Sequence, residues 1–160
     1  MSAATALPTH PSTVRRERWI VLAARLALAG VFLAAAIAKL RQPWQLFTMT
    51  IDSYQMHMPV AIVNLLAQAL PWIELAIAMA LIAGWQLRWF ATIAAVMLAG
   101  FFSVMLRAYL RGLVIDCGCF GPGERLGVKT LIRDGSLFAF AAALSWAAFH
   151  IYRRDRLARS

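Results

Sequence analysis

The chain of 160 residues is 62% hydrophobic and 14% charged, with a formal net charge of +9. Its charges cluster between long uncharged stretches, a composition that excludes an ordinary soluble core and indicates an integral membrane protein. The cations sit mainly at segment ends, where they anchor to headgroups and set topology, so they argue for a lipid bilayer and against nucleic acid as the partner.

Residues 1–18, with Pro8, Pro11 and then Arg15, Arg16 and Arg18, lack an apolar period and are predicted to form a disordered tail. Trp19 to Leu40 exceeds the length of a secretory signal core and, at about 1.5 Å per residue, is long enough to cross a bilayer. Between Arg41 and Pro59, Trp44, Phe47, Ile51, Tyr54 and Met58 recur every three or four residues after Pro43, the pattern of a short interfacial helix. Further spans are predicted over residues 60–84, 88–110 and 135–152, with a tight turn at Gly84 to Leu87 and a cysteine loop over 111–132. Residues 153–160 form a basic tail. The predicted fold is therefore an all-α four-helix transmembrane bundle with a short interfacial helix between its first two spans.

Four spans put both termini on one side. The terminal Arg clusters flank spans directly and are little diluted by acids, so the positive-inside rule predicts cytoplasmic termini and an extracytoplasmic cysteine loop. Disulfides persist on that side. Within the spans, the expected depths of Arg25 and Glu74 bring them within reach of each other as a buried ion pair, while Lys39 reads as a snorkelling anchor. Pro71 is expected to loosen the second span near Glu74.

Both cysteines fall within Asp116-Cys117-Gly118-Cys119-Phe120-Gly121-Pro122-Gly123. A Cys-Gly-Cys bridge closes almost no loop and so makes a poor staple, whereas two adjacent thiols suit redox exchange or metal capture. Arg111, Arg125, Lys129 and Arg133 make the surroundings electropositive and favour the thiolate; Asp116 opposes them. Gly118, Gly121 and Gly123 leave the backbone open to a partner. One cysteine pair, rather than two, implies exchange with a thioredoxin-like protein or direct electron transfer to a cofactor such as a quinone, although no sequence feature identifies a quinone site. A soft-metal module using Cys117, Cys119 and His57, and a non-catalytic structural subunit, are the alternative readings.

The order of Ala38-Lys39-Leu40, Tyr54, Pro59, Leu70-Pro71-Trp72-Ile73-Glu74-Leu75, Arg111 to Gly121 and Arg133-Asp134 resembles the methylamine utilisation protein MauE branch of the DoxX-like membrane proteins. The resemblance covers about residues 20–152, and Cys117 to Gly121 with Pro71 to Glu74 is its most specific part. It implies a four-helix bacterial inner-membrane protein that supports disulfide formation during maturation of a periplasmic quinoprotein dehydrogenase, alongside a thioredoxin-like partner. The particular client does not carry over, because the family extends beyond methylamine metabolism. Asp134 stands where the resemblance leads one to expect Asn, and its negative charge is expected to blunt the positive field around the thiols.

Overall fold

The computed structural model describes residues 11–56, 58–119 and 124–157. Five helices follow one another: α1 (Pro11–Leu40), α2 (Trp44–Ser53), α3 (Val60–Ala83), α4 (Leu87–Leu110) and α5 (Val128–Leu157). Four of these, all but α2, are long and apolar enough to cross a membrane. No strand occurs among the described residues; the nearest approach to one is an isolated antiparallel bridge between Asp116 and Arg125.

The helix ends follow local chemistry. Pro43 and Pro59, each lacking an N–H that a helix start would leave unsatisfied, precede α2 and α3. Gly84 ends α3 in the left-handed conformation, with φ 71°, and its N–H and that of Trp85 return to carbonyls of the last turn. A Cβ there would also meet the Arg25 guanidinium packed against the turn, the movable end of a flexible side chain, so it is the left-handed backbone that calls for glycine. Pro71 does not break α3, which runs through it with the proline buried.

The buried face mixes many alanines with a few large apolar side chains, and most of the tryptophans face outward. Ala29, Ala78, Ala91, Ala94 and Ala141 are buried with Leu28, Phe32, Ile77, Leu81 and Leu144, whereas Trp72, Met79, Val96 and Trp146 face outward. Lipid tails are as apolar as leucine, so burying bulk is not what drives helices together in a bilayer; close packing over small residues is. α1 packs on α3 and α4 on α5, with α2 laid against α3.

Three expectations change here. α1 begins at Pro11 rather than Trp19, so part of the expected tail is helical; residues 1–10 lie outside the described residues. α5 begins at Val128 rather than Gly135 and continues to Leu157. Its charged first turns are compatible with a helix because Arg133 pairs with both Glu124 and Asp134, and because the Thr130 hydroxyl accepts from the Gly127 N–H. The third concerns the intramembrane charges. Glu74 pairs with Lys39, at 2.9 Å, and not with Arg25, whose guanidinium donates to the Ile82 carbonyl at 3.4 Å.

The reason is side-chain direction. Helical side chains lean toward their own N-terminus, and α1 and α3 are antiparallel, as the pairings of 25 with 82 and 39 with 74 require. Lys39 therefore leans into the bundle and Glu74 leans toward the cysteine end, so the two converge. Arg25 and Glu74 lean apart. Lys39 is consequently a buried partner, covered by the Phe47 ring of α2, and not a snorkelling anchor.

Candidate functional site

The cysteine loop is closed at its base by two backbone hydrogen bonds, from the Cys117 N–H to the Glu124 carbonyl at 2.7 Å and from the Leu126 N–H to the Ile115 carbonyl at 2.8 Å. This pairing fixes the backbone at Cys117, and the chain turns before Cys119. Between them Gly118 adopts φ 71°. Two carbonyls of this turn are held from other elements: the Tyr54 hydroxyl donates to the Cys117 carbonyl at 2.8 Å, and the Lys39 ammonium donates to the Cys119 carbonyl at 3.0 Å. Lys39 thereby meets three acceptors, two of them on Glu74.

Gly118 is also pressed against α2, where a Cβ would lie 2.5 Å from Thr50 Cγ2. Gly118→Ala is therefore expected to cost about 1–2 kcal/mol in left-handed backbone strain, and about 1–3 kcal/mol more in overpacking. A lowered thermal midpoint of the full chain in detergent checks it, and adding Thr50→Ala should recover the steric part alone.

Both thiols are free. Their sulfurs face α4 and α5: Cys117 Sγ lies 3.9 Å from Met105 Sδ and 3.9 Å from Asp134 Oδ2, and Cys119 Sγ lies 3.8 Å and 3.6 Å from the same two atoms. The Arg133 guanidinium approaches Cys117 Sγ to 3.7 Å while also holding Asp134. Cys117 is buried; Cys119 is partly exposed.

The two thiols are unequal. The hydrogen bond from Cys119 holds the Cys117 thiol below its ordinary range, with help from Arg133 and against burial and the Asp134 charge. Donating that bond, and burial, push the Cys119 thiol far up. Of the two, Cys117 is therefore the one that gives up its proton first, and Cys119 keeps its own. Tyr54 is also pushed up, by burial and then by the neighbouring sulfur and carboxylate charges, which keeps its hydroxyl a donor to the loop.

A cavity of about 430 Å³ opens beside the sulfurs. Phe47, Ile51, Tyr54 and Met58, four of the five residues in the predicted interfacial stripe, line it, as do Phe32 of α1 and Phe101 of α4. Its polar residues gather around the sulfurs and the ion pair: Cys117, Cys119, Asp134, Lys39 and Glu74.

Of the site residues expected from sequence, the structure brings together Cys117, Gly118, Cys119, Arg133, Lys39 and Glu74. Asp116 takes part in the bridge to Arg125, and the carboxylate against the sulfurs is Asp134. Arg111 is exposed at the C-cap of α4, and Arg25 lies near the opposite end of the bundle, by the α3–α4 turn. His57, Phe120 and Gly121 lie outside the described residues. Met105 carried no sequence signal, since a methionine in an apolar span reads as packing. Tyr54 did carry one, as part of the motif order quoted above.

The family model described as methylamine utilisation protein MauE matches residues 17–147. No curated protein and no solved structure matches the chain.

Proposed function

We propose that this chain, which belongs to the methylamine utilisation protein MauE family, a family of membrane proteins involved in methylamine utilisation, is a thiol–disulfide redox protein of the bacterial inner membrane. Its cysteine loop faces the periplasm and its termini the cytoplasm, as the Arg clusters argue. It supports disulfide formation in a periplasmic client, such as a quinoprotein dehydrogenase, through a thioredoxin-like partner.

Two free thiols two residues apart, with the Arg133 guanidinium 3.7 Å from Cys117 Sγ, are the observation that carries this reading. Starting from a Cys117–Cys119 disulfide, a partner thiolate attacks Cys119 Sγ, on the residue that is partly exposed. Cys117 then leaves as the thiolate favoured by its hydrogen bond and by Arg133, and a lower leaving-group pKa speeds exchange. The second partner thiol loses its proton and displaces Cys119. One disulfide has moved to the partner, and the reduced pair holds the two electrons, the protons released by the partner thiols passing to the pair and to solvent.

Reoxidation needs a two-electron acceptor. The cavity favours one from the lipid phase, because its volume is within the range of small-molecule sites and its wall is apolar up to the sulfurs. A quinone, if held there among Phe47, Tyr54 and Phe101, would supply such an acceptor, the two protons coming from the thiols and solvent as the Cys117–Cys119 bond re-forms.

Labelling intact cells with a membrane-impermeant thiol reagent tests the proposal. The wild-type pair should label only after mild reduction. Cys117→Ser should accumulate a mixed disulfide between Cys119 and a second protein on non-reducing gels, and Cys119→Ser should give none. Partner disulfides and client maturation left untouched by Cys117→Ser would refute the reading.

A further inference from the structure

Four soft or anionic donor atoms converge beside the loop, and exchange chemistry needs only two of them. Cys117 Sγ and Cys119 Sγ each lie within 3.9 Å of Met105 Sδ. The two sulfurs and a carboxylate oxygen of Asp134 all lie within 4.8 Å of one another. They come from three separate elements: the loop, α4 and α5.

The spacing has a coordination meaning. Around one ion with metal–thiolate bonds of about 2.3 Å, neighbouring ligand sulfurs sit roughly 3.8–4.0 Å apart, whether the site is trigonal or tetrahedral. Both thiol-to-thioether distances fall there. The donor set also selects the ion. A thioether is a poor ligand for zinc, calcium or magnesium, and two thiolates with a thioether suit Cu(I). Burial adds to this: Met105 is 2% exposed, Cys117 4% and Asp134 5%, so water competes little for these three, and Cys119 is the partly exposed member through which an ion enters.

We propose that the reduced Cys117/Cys119 pair and the Met105 thioether form a Cu(I) site, with Asp134 alongside as a fourth donor. Binding replaces the thiol protons: Cu(I) enters, two Cu–S thiolate bonds form, and the protons still on the pair leave to solvent. No electrons move. The same pair as a disulfide has no thiolate to offer, so copper and oxidation exclude each other at this position, and bound Cu(I) holds the pair reduced. This does not rest on the proposed exchange with a partner, since it needs only the reduced sulfurs and Met105.

The test uses the full chain in detergent, reduced and anaerobic, titrated with Cu(I) against a chromophoric Cu(I) chelator. One Cu(I) per chain is expected, with sulfur-to-copper absorption in the near ultraviolet and about three sulfur neighbours by X-ray absorption. Met105→Leu, whose side chain fills nearly the same space, should weaken the affinity at least ~10-fold, as loss of a direct ligand exceeds the lower bound for loss of a supporting partner. Circular dichroism confirms that this variant folds, and Met105→Cys, which restores a sulfur, should recover binding. Failure to hold Cu(I) against the chelator, equal affinity for wild type and Met105→Leu, or preference for Zn(II) over Cu(I) would each overturn the site.

Discussion

Replacing Lys39 with methionine is expected to destabilise the protein by about 3–5 kcal/mol, because it leaves the Glu74 carboxylate buried without its counter-ion. Glu74→Leu alone should cost a similar amount for the mirror reason. The double variant Lys39→Met with Glu74→Leu should recover most of that loss, since a buried ion pair and an apolar pair of similar volume differ little in net stability. Thermal midpoints of the four proteins in detergent complete the cycle. Lys39 has a second attachment, however, to the Cys119 carbonyl. The double variant regains stability without regaining that bond, so Cys119 alkylation should stay faster than in wild type although the midpoint has returned. If alkylation reverted along with stability, Lys39 would be only a packing element.

The second large effect concerns the pH at which each sulfur reacts. With Cys119→Ser, the serine hydroxyl can still donate to Cys117, and the alkylation midpoint of Cys117 is expected below the ordinary thiol value of about 8.5. With Cys117→Ser, burial and Asp134 still act on Cys119, so its midpoint is expected above that value. Only the thiolate reacts, so below its midpoint each sulfur slows about tenfold per pH unit. Acidification from pH 8.5 to 6.5 should therefore slow Cys119 by about 100-fold and Cys117 by clearly less. The midpoint is the diagnostic quantity and the absolute rate is not, because poor access to a sulfur scales the whole curve without moving it. Iodoacetamide, small and neutral, is the suitable reagent. Identical midpoints would remove the inequality on which the proposed exchange direction depends.

What the sequence made legible was local. Spans and turns are written in runs of apolar residues bounded by Pro43, Pro59 and Gly84, and the helix from Trp44 to Ser53 is written in its three-and-four spacing. The cysteine loop was equally plain. What it hid depends on direction and on distant neighbours. Counting residues along α1 and α3 gave depth but not the lean of the side chains, and so matched Glu74 with Arg25 instead of Lys39. Arg133 and Asp134 looked like the border of a loop, because the pairing that lets them sit in a helix is made with Glu124 across the turn. Asp134 was legible as a nearby charge but not as an atom 3.6 Å from a sulfur. Met105 was illegible for the same reason: its distance to Cys117 is a property of how α4 meets the loop.

The cysteine turn connects α4 and α5, yet it is held by the other half of the bundle as well. Its carbonyls are held from Lys39 of α1 and from Tyr54, just after α2, while its sulfurs rest against Met105 of α4 and Asp134 of α5. α1 packs with α3, and α4 with α5, so the turn bridges two helix pairs. Because the turn is continuous with α4 and α5, sliding one pair past the other would strain the bonds from Lys39 and Tyr54 and so pull on the backbone that carries the sulfurs. The spacing of the two sulfurs is thereby tied to how the two helix pairs dock.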